Sequence, residues 1–270
     1  MSEDKKDYGV SFGWLPELPD HRDQPYAAML MGFEAPLQLP PRVDLRSVLP
    51  DAYDQGQLSS CTANAIAAAF QFDRIRQGTR AFMPSRLFIY WNERVMEGQT
   101  GVDRGAYIRD GIKSLADQGV CDEALFPYDA RNVFMQPAGN CYADAMKYRA
   151  LNYYALNNAN LNELRSCLAA GFPFVFGFTI FNSFFQADRA GGMVPMPGYE
   201  SPIGGHAVLA VGYDDQRELF IIRNSWGPAK GDRGHYYMPY RYLNSSLSAD
   251  FWTVRVVTQV ALADSGNDTA

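Results

Sequence analysis

The sequence predicts an α+β chain in which a helical half precedes a sheet-rich half and a cleft runs between them. Three observations predict it. From Cys61 to Gln118 apolar residues recur at helical spacing, with Gly78 and Gly119 as stops. From Tyr148 onward, β-branched and aromatic runs separated by turn sequences take over. With 270 residues and 47% hydrophobic content, the chain can bury a full core as one or two domains.

Taken in order, residues 1–40 are rich in Pro and charge and read as an extended arm with Trp14 as its anchor. Trp14, Leu15 and Leu18 have no apolar partner within the arm, so it is expected to fold back over the domain and partly cover the cleft as an intramolecular inhibitor. A helical domain, 41–145, follows. Its central helix starts at Cys61 and carries Ile66, Phe70 and Ile75. A second runs from Ser85 to Glu97 and a third from Tyr107 to Gln118. FPY at Phe126–Tyr128 reads as a rigid turn, and the stretch on to Cys141 as an irregular linker. The sheet-rich domain, 146–258, has strand signals at Tyr148–Leu156, Pro173–Phe181, His206–Asp214, Glu218–Ser225, Gly234–Tyr240 and Phe251–Val257, with a short helix at Leu161–Ala170. Residues 186–205 read as a surface loop with Asp188 and Glu200 solvated, and 259–270 as a polar tail.

The chemistry concentrates at Asp54–Ala65, DQGQLSSCTANA. Ser59 or Ser60 is placed to cap the helix that Cys61 opens, and the positive end of the helix dipole there favours a thiolate. Gln55 can aim its amide N–H groups where the Cys61 backbone N–H points, and two donors on one spot form an oxyanion hole. A thiol alone is more often a plain buried residue, and a base is needed. GGHAVLAVGYD at Gly204–Asp214 offers His206 at a glycine-opened strand. IIRNSWG at Ile221–Gly227 offers Asn224, whose amide oxygen can accept from one ring nitrogen and leave the other to face Cys61, while Trp226 shields that bond.

In the order and spacing of Cys61, His206 and Asn224, and in VDLR at Val43–Arg46, the chain resembles the papain family of cysteine peptidases over about Arg42 to Val257. GVCDEALFPYD and LAAGFPFVFGF look most like its small bacterial members. The resemblance implies a papain-like fold with a helical left domain and an antiparallel, β-barrel-like right domain. It implies Cys61 as nucleophile, His206 as base and acid, Asn224 as orienter and Gln55 as oxyanion donor, with Trp226 over the His206–Asn224 bond. Gly205 and Ala207 flank the base, Ala207 near the pocket for the residue two before the cut. Gly101–Ala106 resembles the family's substrate-backbone-binding loop.

The departures are specific. Leu58, Ser59 and Thr62 stand where the family has Cys, Gly and Trp, which removes one disulfide and questions the packing beside the nucleophile. Lys230 precedes Gly231 where the family has Trp-Gly, so the leaving-group side of the cleft is expected to be less aromatic.

The expected activity is hydrolysis of peptide bonds through a thioester, as an endopeptidase because no His-rich insertion caps one end of the cleft. The alternatives are another cysteine acyl-transfer enzyme, amidase or transglutaminase-like, and a catalytically retired peptide-binding module. No cofactor or metal is expected, since CxxC and HExxH are absent and there are three His residues, of which His21 reads as solvated and His235 as packed or superficial. The expected partner is a peptide or protein substrate. A formal charge of −6 without clustered Lys and Arg argues against nucleic acid. Neither a secretory signal nor a membrane span is read, so the expected location is the cytoplasm or beyond it by a leaderless route. Four cysteines, one reserved for chemistry, leave at most one intrachain disulfide, with Cys121 and Cys141 able to pair across a loop.

Overall fold

The central helix α1, Cys61–Arg76, is buried from Cys61 through Arg74, because its run of alanines lets neighbours close on every side. The computed structural model describes residues 9–27, 38–78 and 82–259. Helix α2, Arg86–Met96, packs on α1 and is capped by Ser85, whose hydroxyl accepts the Phe88 N–H at 3.2 Å. Helix α3, Ile108–Asp117, covers both. All three fall within a residue or two of the spans read from apolar spacing.

Helix α4, Gly139–Ala145, overturns the irregular linker expected up to Cys141. Its seven residues, GNCYADA, are too few to carry a periodic signal. Tertiary burial of Cys141 and Ala145 holds the helix instead.

The second half forms one antiparallel sheet of β2 (Tyr148–Ala155), β3 (Phe174–Phe181), β4 (Pro202–Asp214), β5 (Leu219–Arg223), β6 (His235–Pro239) and β7 (Ser248–Gln259), in the order β2-β7-β3-β4-β5-β6. Helix α5, Leu161–Ala169, links β2 to β3, and α6, Tyr240–Leu243, follows β6. A short strand β1, Arg42–Asp44, joins the far end of β4, so the start of the expected helical domain belongs to the sheet. End strands β2 and β6 do not pair with each other among the described residues, so the barrel-like arrangement is an open sheet.

Alternation along β4 divides two cores. Ala207, Leu209 and Val211 face the cluster holding α1, whereas Val208, Ala210 and Tyr213 face an aromatic cluster with Phe174, Phe176 and Phe220. No helix among the described residues is long and apolar enough to cross a membrane. All four cysteines are buried and unpaired.

Candidate active site

The turn before α1 is built by hydrogen bonds that fix Gln55. Its N–H donates to the Ser225 carbonyl at 2.8 Å, and the Ser225 hydroxyl donates to Oε1 at 2.6 Å. With Oε1 occupied, Nε2 must face the other way, where it donates to the carbonyls of Leu58 at 2.9 Å and Ser11 at 3.2 Å. The serine cap expected on α1 does not form. Ser60 Oγ is 2.6 Å from Tyr128 Oη, Tyr128 donates onward to the Gln55 carbonyl at 2.9 Å, and Ser59 Oγ lies 3.2 Å from Ser11 Oγ. The Ser59 N–H is held by Asp103 at 3.0 Å, which ties the turn to the loop before α3. Thr62, in place of the family's tryptophan, donates to the buried Glu93 carboxyl at 2.9 Å, and that carboxyl is held well above its usual range by desolvation.

Cys61 Sγ is fully buried and accepts the Ala207 N–H at 3.4 Å. The strand residue beside Ala207 is His206, whose Nε2 lies 2.7 Å from Asn224 Oδ1. A carboxamide oxygen only accepts, so Nε2 carries the proton and Nδ1 keeps a lone pair. Among the described residues Nδ1 has no hydrogen-bond partner. Asn224 Oδ1 also accepts the Ser225 N–H at 2.8 Å, which locks the carboxamide. Trp226 stacks on the imidazole with centroids 4.7 Å apart. The structure thus brings Gln55, Cys61, Gly205, His206, Ala207, Asn224 and Trp226 into one place.

Phe185 stacks on Trp226 at 5.9 Å and Phe184 meets its edge at 5.6 Å, so residues 182–189 pack aromatic rings against that indole. Asp188 is not simply solvated. It accepts from Tyr236 Oη at 2.6 Å and the Gly231 N–H at 3.1 Å, bracing the segment behind Trp226. Glu200 similarly accepts the Ser183 N–H at 3.0 Å. His21 is exposed, and His235 is half-buried within β6, apart from the site.

Residues 12–15 of the arm lie against the site. Phe12 lies 6.3 Å from both the His206 and Trp226 rings, and the Gly13 N–H lies on the Cys61 sulfur beside those of Ala207 and Thr62. Ala106 donates to the Gly13 carbonyl at 2.8 Å, Trp14 donates to the Gly205 carbonyl at 3.0 Å, and Leu15 donates to the Ala106 carbonyl at 3.2 Å. The Trp14 indole sits against Gly177, where a Cβ would fall inside its ring, and its Nε1 donates to Asp250 Oδ2 at 2.8 Å. Leu18, expected to need cover, is 84% exposed. Residues 1–8 and 28–37 of the arm, and 260–270 of the polar tail, lie outside the described residues.

Burial reverses the thiolate expected from the helix dipole. Burial pushes the Cys61 thiol up to about 12 against the N–H groups of Ala207 and Gly13, and pushes His206 down to about 4 against the Asn224 bond. With the arm in place, both groups are neutral at pH 7.

Composition gave no sign of Ser225, Asp103 and Tyr128 as supports of the site. Ser225 stands within the IIRNSWG stretch and Tyr128 within FPY, so proximity to recognised motifs was the one signal available.

Residues 39–250 match the model of the papain family cysteine protease. The chain is 40% identical over 272 residues to an uncharacterized peptidase C1-like protein of Acanthamoeba polyphaga mimivirus, covering 92% of this chain and 88% of that one. Among solved structures it is similar to xylellain, a cysteine protease from Xylella fastidiosa, with a TM-score of 0.83 and 41% identity over 95% of this chain and 99% of that one. Digestive procathepsin L 3 of Tenebrio molitor shares the fold at a TM-score of 0.63, with 19% identity over 83% of this chain and 73% of that one. The chain belongs to the papain family of cysteine peptidases.

Proposed function

We propose that this cysteine peptidase is an endopeptidase in which Cys61, His206, Asn224 and Gln55 carry the reaction, and that its own N-terminal arm holds the cleft shut. The observation that carries the assignment is the pair of bonds from Ala207 N–H to Cys61 Sγ and from His206 Nε2 to Asn224 Oδ1. Once the arm leaves, His206 Nδ1 takes the thiol proton and the sulfur attacks the scissile carbonyl carbon. The oxygen becomes an oxyanion held by Gln55 Nε2 and the Cys61 N–H. His206 returns the proton to the leaving amine, then takes one from the water that opens the thioester.

The arm engages polar groups on which the reaction depends. The Gly13 N–H is directed at the Cys61 sulfur. Gln55 Nε2 meanwhile rests on the Ser11 carbonyl, so an oxyanion donor is already occupied. Labelling with a thiol-reactive epoxide, followed by peptide mapping, tests the nucleophile. The label is expected on Cys61 alone, and hydrolysis of an internally quenched peptide is expected to vanish in Cys61→Ala. Wild-type turnover in that variant would overturn the assignment.

A further inference from the structure

The arm leaves the site past Trp14, and three residues on it carries an acid, Glu17. The Glu17 side chain is 2% exposed, and its backbone N–H donates to Asp250 Oδ2 at 3.0 Å, the same oxygen that holds the Trp14 indole. The arm therefore crosses β7 on the Asp250 carboxyl, whose charge also acts on the Glu17 side chain. One oxygen of Glu17 accepts the Arg109 N–H at the start of α3. The other, Oε2, is buried without a hydrogen bond, although an Arg109 nitrogen stands 3.3 Å away. That guanidinium is shared, because Asp23 of the arm binds it at 2.8 Å. Asp110 adds a further acid from α3, and Lys113 is 3.9 Å from Asp23 and 4.0 Å from Asp20. Around Glu17 the acids outnumber the cations.

We infer that Glu17 and Asp250 form a proton-dependent clasp, which holds the arm in the cleft while Glu17 is a neutral acid and loosens it when Glu17 ionises. The inference rests on the reading of the arm as the occupant of the cleft. A neutral carboxyl can stay buried near Asp250 at modest cost, whereas a second negative charge there is desolvated and repelled, with an Arg109 guanidinium already shared with Asp23 to offset it.

The direction agrees with the surroundings. Burial first, and Asp250 next, raise Glu17 from 4.5 to about 8 in the docked arm, with the Arg109 bond and charge opposing. A solvated Glu17 on a released arm returns to the ordinary value, so the docked state binds the proton more tightly and docking weakens as pH rises between the two. Asp250 is raised as well and acts in the same direction. Asp20 is held low chiefly by Arg22, its neighbour on the arm, and that pair travels with the arm whether docked or free. His206 opposes at the acid end, because its docked value of about 4 means that the open form gains a proton first below about pH 6.5. From pH 6 to pH 9, Glu17 alone weakens docking about ninety-fold and His206 returns about four-fold, leaving on the order of twenty-fold.

The test is hydrogen exchange of residues 9–17 in the full chain carrying Cys61→Ser to prevent self-cleavage, at pH 6, 7, 8 and 9, corrected for intrinsic exchange. Protection of the Trp14 and Leu15 amides is expected to fall on the order of twenty-fold across this range. With Glu17→Gln added, protection is expected to stay level or rise slightly. Protection that is high and flat with pH in the Glu17 chain overturns the clasp and leaves the covered cleft standing. An equal fall in the Glu17→Gln chain overturns the role of Glu17. Arm amides that exchange freely at every pH, while the α1 amides stay protected, overturn the covered cleft and the clasp together.

Discussion

Gly13→Ala is the sharpest perturbation of the arm, because the neighbours of the new methyl group cannot move aside. A Cβ at Gly13 would lie 1.8 Å from the Ser59 carbonyl oxygen and 2.5 Å from its carbon, both backbone atoms two residues before the nucleophile. Ser59 is pinned by Asp103, so the arm must lift instead. Lifting breaks the Ala106 to Gly13 and Trp14 to Gly205 bonds and draws the indole from its seat against Gly177 and Asp250. Two neutral hydrogen bonds at about 1 kcal/mol each, with part of the indole burial, come to about 2–4 kcal/mol of lost docking. That corresponds to about 30- to 1,000-fold in the docking equilibrium. Turnover needs an open cleft, so kcat/KM on a short quenched peptide should rise by up to this factor and level off once the arm is free. Epoxide labelling of Cys61 should accelerate in parallel, and the unfolding temperature of the body should stay within a few degrees, since the methyl group points at the cleft. Unchanged turnover and labelling in Gly13→Ala, with the chain folded, would refute the claim that the arm controls access.

The remaining predictions concern the reacting groups. Gln55→Ala in the Gly13→Ala background should lower kcat about 10- to 1,000-fold with little change in KM, because one oxyanion donor is lost; steady-state kinetics checks this. Asn224→Ala leaves the His206 ring unoriented and should shift the pH profile of kcat/KM as well as lower it, whereas a purely structural effect would lower the unfolding temperature alone. In the docked chain the Cys61 thiol titrates near 12, so iodoacetamide alkylation should be slow at pH 7 and still climbing above pH 9; freeing the arm should move that rise to lower pH. His206 is depressed to about 4, so the stability it lends the covered state is complete above about pH 6.5 and lost as pH falls through 4. That loss is about 3 kcal/mol, read as an acid limb in thermal unfolding that His206→Gln removes.

The strength of the reading lay in periodicity and in rare residue types. Cys61 before a run of alanines, His206 after two glycines and Asn224 two before a tryptophan are local patterns; Cys61 and His206 fell on the helix and strand expected of them, and Asn224 fell one residue beyond its strand. Helix α4 escaped because seven residues with Gly and Asn hold no periodic signal, and burial alone made them helical. The serine cap failed because a hydroxyl's local preference gave way to Tyr128, some seventy residues away, a competition no window of sequence displays.

What the sequence determined by itself was the family, the order of helices and strands, and the side chains able to do the chemistry, because these follow from spacing and from what a thiol, an imidazole and a carboxamide can donate or accept. Only the tertiary structure decided the charge state of the pair and the occupant of the cleft. A helix dipole acts over one turn, but the burial that leaves Cys61 and His206 neutral is made by segments distant in sequence, among them Phe12 to Trp14, held in place by Ala106, Gly205 and Asp250 from three separate parts of the chain. Burial is a property of what packs on a residue, and the sequence does not say which of its distant segments that will be.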